Sequence, residues 1–246
     1  MKNRFVTPEV CAFAADRRGN FAGKTGKNYR KGTRIAMKIT YLGHASFLLE
    51  TSAGTRIVTD PYAQDILPHP VEKAQVVTMS HEHHDHCDLS QVKGDYVIVN
   101  NTRTTTFLDV KITCAPCFHD EVQGKKRGRN RAYIFEADGL KIVHLGDLGE
   151  APTPALIAAC GGADVLLVPV GGTYTLTGEE AARAVKALAP KLAVPMHYRC
   201  PGHSFQVIST EEPFLSALDP ETPVHRLDAL SEPFPAGVAI LAPVRP

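Results

Sequence analysis

Between His81 and His86 the chain reads His81-Glu82-His83-His84-Asp85-His86, placing several imidazoles and a carboxylate within one turn of backbone. The stretch follows the apolar run Val76-Val77-Thr78-Met79, so a strand delivers these side chains to a sheet edge. His81 and His83 lie two apart and share one side of an extended chain, whereas Asp85 and His86 are adjacent and diverge or occupy a turn. One small ion does not easily collect His81, His83, Asp85 and His86 together. Two ions a short distance apart can.

A two-ion site needs more ligands in similar positions, just past apolar strands. His119 follows the run 110–118, Asp147 follows the second of two hairpins, and His197 follows Leu192–Met196. Asp60 closes the first hairpin in the same way. His81, His83, Asp85, His86, His119, Asp147 and His197 then make a ligand set for two divalent ions with one carboxylate shared. His and Asp donors without a required thiolate suit zinc, and Mn²⁺ or Fe²⁺ fit the same donors.

The pattern His81-x-His83-x-Asp85-His86, followed by His119, Asp147 and His197, resembles the metallo-β-lactamase superfamily. The text around it, Gly43-His44-Ala45-Ser46-Phe47, Thr59-Asp60-Pro61, His144-Leu145-Gly146-Asp147-Leu148-Gly149 and Pro195-Met196-His197-Tyr198, is similar to a branch of metal-dependent hydrolases. That branch includes the ascorbate-6-phosphate lactonase-like and N-acylphosphatidylethanolamine phospholipase D-like proteins. The resemblance implies a four-layer αββα sandwich. It implies His81, His83 and His119 on one zinc and Asp85, His86 and His197 on the other, with Asp147 between them. Asp60 would hold a ligand or loop from outside, as outer carboxylates orient imidazoles, and His44 would face the pocket.

Two such ions lower the pKa of a bridging water from ~15.7 toward ~7. The expected activity is therefore hydrolysis by a metal-bridging hydroxide of a lactone, ester or phosphodiester in a small anionic molecule, with Asp85 or a metal-bound water moving the proton. A nuclease-like phosphodiesterase and a non-catalytic metal sensor are the alternatives. An oxidoreductase on this fold fits less well, because diiron relatives replace a cluster His by Glu and His83 is retained.

The elements that must position these residues are legible in part. Met37–Leu42 and Ala45–Glu50 read as strands, and Thr55–Thr59 forms a hairpin across Ser52-Ala53-Gly54. Arg131–Ala137 and Leu140–Leu145 form a second across Asp138-Gly139. Both hairpins end in a loop Asp, which suggests an internal two-half repeat. Asn101 caps a short expected helix through Leu108. Thr153-Pro154 starts a helix that Gly161 ends, and Thr177 with Glu180 forms a capping box stopped at Pro190. A further capping box is expected at Ser209–Glu212. The last 27 residues, rich in Pro, read as irregular chain with a strand near Val238–Leu241. Thr173 and Tyr174, after the strand run 164–168, face the same edge as the ligands and are further candidates for the pocket. The basic loop 125–131 lies near His119 and could attract an anion. His84 and Glu82 sit at spacer positions, His144 reads as a core residue, and His69, His203 and His225 read as surface residues.

Composition sets the remaining bounds. The 246 residues are 43% hydrophobic and 22% charged, with a net charge of +1. Residues 1–36 hold nine Lys/Arg against two acids, and the remainder 18 against 24, a balance of −6. All 11 His fall in that acidic body. The reading is a basic N-terminal extension over 1–36 and a hydrolase domain over 37–246. An acidic body disfavours a nucleic-acid partner and leaves a small molecule. No apolar run reaches the ~18 residues of a membrane span. Six Cys without a regular framework point to reduced thiols and a cytoplasmic setting, with Cys114-Ala-Pro-Cys117 uninvolved in chemistry.

Overall fold

The computed structural model describes residues 37–246, and the expected extension over 1–36 lies outside them. In chain order the strands are β1 (Lys38–Gly43), β2 (Ser46–Glu50), β3 (Arg56–Thr59), β4 (Glu72–Lys73), β5 (Val76–Thr78), β6 (Val92–Lys93), β7 (Val97–Val99) and β8 (Thr105–Phe107). There follow β9 (Val110–Phe118), β10 (Arg129–Ala137), β11 (Leu140–His144), α1 (Pro154–Cys160), β12 (Val165–Pro169), α2 (Gly178–Leu188) and β13 (Leu192–Met196). The chain closes with α3 (Glu212–Ser216), β14 (Val224–Leu227), β15 (Ala229–Ser231) and β16 (Gly237–Leu241).

Two large sheets form, ordered β15-β1-β2-β3-β5-β7 and β14-β16-β13-β12-β11-β10-β9-β8. Their inner faces share one core, in which Tyr41, Phe47 and Leu49 belong to the same buried cluster as Tyr133, Phe135 and Val143. β12 and β13 are buried along their whole length, and each runs parallel to strands on both sides. That is why their sequences are near-continuous apolar runs rather than alternating ones. Helix α1 packs against β9, α2 against β12 and α3 against α2. The outer face of the first sheet instead buries Leu42, Leu48, Val58 and Val77 under Met79, Val92 and the segment around Leu89.

The expected repeat is visible as topology. β1, β2 and β3 are antiparallel, and β3, β5 and β7 then run parallel. β9, β10 and β11 are antiparallel, and β11, β12 and β13 then run parallel. Consequently β3 and β5 in one sheet, and β9, β11 and β13 in the other, end at the edge where the ligand candidates gather.

The helix signals at Thr153 and Thr177 are realised. Thr153 caps α1 through Leu156 N, and Thr177 and Glu180 exchange both bonds of the capping box. Three expectations need correction. Residues 101–108 form no helix: Asn101 Oδ1 accepts from Arg103 N at 2.9 Å in a turn, and Thr105-Thr106-Phe107 pairs with β9. β-branched and aromatic side chains favour that pairing over a helix. Ser209–Glu212 makes no capping box, because α3 starts from Glu211 without a side-chain cap bond. The Pro-rich end carries two further strands, β14 beside β16 and β15 beside β1. Both lie at sheet edges, where alternation is weak and Pro nearby is tolerated.

Candidate metal centre

Asp147, just after β11, reaches the middle of the ligand candidates. Its Oδ2 lies 3.1 Å from His86 Nε2, 3.2 Å from His197 Nε2, 3.3 Å from His119 Nε2 and 3.8 Å from His81 Nε2. Around it the donors fall into two groups. His81, His83 and His119 bring their nitrogens together, as do Asp85, His86 and His197 with His44. All seven expected ligands are thus gathered at one edge. His84 points away, its side chain 77% exposed, and Glu82 is exposed.

Outer partners fix several of these rings. Asp60 Oδ2 accepts from His86 Nδ1 at 2.9 Å and from Ser80 Oγ, while Asp60 Oδ1 accepts from Ser80 N at 2.7 Å. Ser80 Oγ also meets His81 Nδ1 at 2.9 Å, so one buried carboxylate steadies rings of both groups. Asn130, inward-facing on β10, accepts from Asp147 N at 3.1 Å and donates to Leu145 O at 2.8 Å, which fixes the Asp147 loop. Gly149 is required by close approach, since a Cβ there would lie 2.5 Å from the His119 carbonyl. His44, Asp60 and His197 all hold positive φ, at 53°, 39° and 52°. Such strain persists where surrounding contacts over-determine the backbone.

The electrostatics suit a cation. Burial, reinforced by His86, lowers His81 to about 3, and burial lowers His119 to about 4. These rings therefore stay neutral, as ligands must be. Burial pushes Asp147 up, but the imidazoles of His197 and His86 outweigh it and hold it well below the carboxylate range. Burial pushes Asp85 up too, and the bond from His44 with the charge of His86 reverses it. Burial pulls His86 down, yet Asp147 and Asp60 carry it well above its usual value.

Asp60, Asp85 and Asp147 converge with no Lys or Arg within 4.0 Å among the described residues. Burying such charge without compensation costs several kcal/mol per ion. Five buried polar atoms of this cluster also have no hydrogen-bond partner: His86 Nε2, His119 Nδ1, both His197 ring nitrogens and Asp147 Oδ1. The buried carboxylates with His86 Nε2, His197 Nε2 and Asp147 Oδ1 are what divalent cations would satisfy, whereas Nδ1 of His119 and His197 lies on the far side of rings whose Nε2 faces Asp147.

The pocket residues divide. His44 is fully buried and reaches the site as a partner of Asp85, at 3.2 Å, rather than as a pocket wall. The Tyr174 ring lies 4.1 Å beneath the Arg127 guanidinium, and Thr173 donates to Val207 O at 2.8 Å. A cavity of about 300 Å³ opens beside the first group, lined by His81, Glu82, His83, Arg127, Arg129 and Arg131. Of these three arginines, all expected in the basic loop 125–131, only Arg127 lies in a loop, because Arg129 and Arg131 belong to β10, paired with β9. A larger hollow of about 680 Å³, between Tyr198, Glu211, Arg226 and Leu241, contains none of the ligands.

Two histidines expected at the surface are buried. His69 lies 3.0 Å from Pro70 O and 3.1 Å from Tyr62 O, because its Pro-bearing loop folds back on itself. His203 lies 3.0 Å from His44. His225 is half-buried and meets Ala236 O, and His144 is a core residue bound to Ala45 O, as expected. Cys114 and Cys117 are free thiols, with Cys117 buried against Asn130. Sequence reasoning missed Ser80, Asn130 and His203. Asn130 carried one signal, a polar residue at an inward strand position between two arginines.

Comparison with known proteins agrees with this geometry. A family described as "Beta-lactamase superfamily domain" matches residues 38–197. A "UPF0173 metal-dependent hydrolase" of Thermococcus onnurineus is 33% identical over 192 residues, covering 66% of this chain and 84% of the relative. One from Pelotomaculum thermopropionicum is 32% identical over 197 residues, with the same coverage of both chains. A Thermotoga maritima crystal structure, described as a candidate Zn-dependent hydrolase of the metallo-beta-lactamase superfamily, has a TM-score of 0.69 and 37% identity. It covers 83% of this chain and 98% of its own. The stretch 38–197, which carries the candidate ligands, is therefore a metallo-β-lactamase domain, and the chain belongs to the UPF0173 metal-dependent hydrolases of that superfamily.

Proposed function

We propose that this hydrolase is dinuclear and cleaves a lactone, ester or phosphodiester bond in a small anionic molecule. The observation that carries the reading is Asp147 Oδ2, set within 3.1–3.8 Å of imidazole nitrogens from both donor groups. His81, His83 and His119 would hold one divalent cation, and Asp85, His86 and His197 the other, with Asp147 shared. Nitrogen and carboxylate donors favour zinc, and Mn²⁺ or Fe²⁺ are compatible. Bound there, two such ions would supply a water ionised near neutral pH and polarise the bond to be cleaved.

The chain's own residues do the rest. The Asp85 side chain is 12% exposed, and its Oδ1, which is not bonded to His44, could relay the proton left on the attacking oxygen to the leaving group. Asp60 and Asn130 hold His86, Ser80 and the Asp147 loop still while charge moves. Arg127, Arg129 and Arg131 face the entering substrate, and guanidinium groups suit carboxylate or phosphate oxygens. The cavity's volume of about 300 Å³ favours a small molecule over a polynucleotide. The free thiols of Cys87, Cys114, Cys117, Cys160 and Cys200 support a reducing, cytoplasmic setting.

A panel of lactones, carboxylic esters, bis-p-nitrophenyl phosphate and RNA tests the reading. Turnover of one small-molecule class, abolished by Asp85→Ala, is expected. Turnover of RNA alone, or activity that survives Asp85→Ala, would overturn it.

A further inference from the structure

A directed line of hydrogen bonds runs from a loop amide to Asp85. The Phe205 backbone N lies 3.1 Å from His203 Nδ1. A peptide N–H can only donate, so His203 Nδ1 is the acceptor and the ring's proton sits on Nε2. His203 Nε2 lies 3.0 Å from His44 Nδ1, which then accepts, leaving the proton of His44 on Nε2. His44 Nε2 lies 3.2 Å from Asp85 Oδ2. A carboxylate can only accept, so reasoning from the far end gives the same direction. Both rings are neutral in this arrangement.

The arrangement decides between two roles for His44. Its Nε2 lies within reach of the donor atoms of Asp85, His86 and His197, so by position it could be another metal ligand. Its backbone cannot withdraw, because His44 O accepts from both His197 N and Tyr41 Oη. The protonation state alone determines whether Nε2 offers a lone pair to a cation or a proton to Asp85.

We propose that His203 is a positioning residue that locks His44 as a hydrogen-bond donor to Asp85 and keeps it out of the ligand set. Asp85 Oδ2 is thereby held while its other oxygen stays free. Since the line begins at Phe205 N, in the loop after His197, the placement of that loop sets the orientation of Asp85. Leucine at 203 removes the donor that blocks a proton on His44 Nδ1, so a cation bound beside Asp85 can compete with the carboxylate for His44 Nε2. In the zinc-loaded protein Nδ1 would then carry the proton and Nε2 would turn its lone pair toward that cation. Glutamine at 203 retains an N–H that can reach His44.

The proposal rests on Asp85 being a ligand of this centre, but its test does not need turnover. Nitrogen-15 NMR of the zinc-loaded, full-length protein reads which ring nitrogen of His44 carries the proton. The expected result is Nε2–H in the native protein and in H203Q, and Nδ1–H in H203L. Nδ1–H in the native protein, or Nε2–H retained in H203L, overturns the proposal and leaves the hydrolase reading standing. If H203L does not fold, H203M, which likewise lacks an N–H donor, takes its place with the same expected result. Loss of hydrolysis with the expected tautomers would instead count against the proposed function alone.

Discussion

Replacing Asp60 by Asn isolates the outer support of the centre. The Asp60 carboxylate accepts from Ser80 N at 2.7 Å, from Ser80 Oγ, and from His86 Nδ1 at 2.9 Å. Asn has nearly the same volume and tolerates the positive φ of 39° at this position. Its amide, however, has one accepting oxygen, and its NH₂ must face Ser80 or His86. At least one of these donors loses its acceptor, and His86 loses the negative charge that favours its Nδ1–H. Outer-partner loss of this kind costs about 10–100-fold in metal affinity, or about 1.4–2.8 kcal/mol. Competition for zinc against a chromophoric chelator at neutral pH measures it, with thermal melting to confirm the fold. Asp138→Asn is the matched control: Asp138 also has positive φ, at 56°, and its carboxylate accepts from Ser52 N far from the ligands. D60N should weaken zinc binding while D138N leaves it unchanged. Equal zinc affinity in all three proteins would refute the reasoning and mean that packing alone orients His86.

Three more outcomes follow from the geometry. Gly149→Ala inserts a Cβ 2.5 Å from the His119 carbonyl, an overpacking worth about 1–3 kcal/mol, so chelator competition should show weaker zinc binding. Arg129→Gln removes a guanidinium from the cavity beside His83, so KM for an anionic substrate should rise about tenfold or more, and steady-state kinetics that show no change would remove the arginines from recognition. In chelator-treated protein, stability should fall as pH drops from 6.5 toward about 4. His44, His81, His119 and His203 have folded values of about 3 to 4 against 6.5, so the unfolded chain takes up protons first in that window. His86 acts oppositely, its contribution being lost as pH rises above 6.5 toward its raised folded value, and urea midpoints across the range should therefore peak near pH 6.5.

The donors were readable because each follows an apolar strand and each is a His or Asp. Parallel strand ends such as Met196-His197 and Thr59-Asp60 put them at one edge without long-range information. The paired hairpins exposed the repeat for the same reason, since Gly turns and period-2 runs are local signals. What the sequence concealed is set by distant contacts. His203 reads as a loop residue, yet its ring partner His44 lies 159 positions away. Asn130 acquires its role only when β10 and β11 bring it to Asp147. Thr105–Phe107 is a strand because β9 is there to pair with it, and Asn101 taken alone gave the wrong answer.

The central claim is that Asp147 joins two ions. Anomalous scattering from crystals of the zinc-loaded protein tests it most directly. Two peaks are expected, one among His81, His83 and His119 and the other among Asp85, His86 and His197, with the Asp147 carboxylate between them. A single peak, or two peaks of which one does not touch Asp147, would contradict the account.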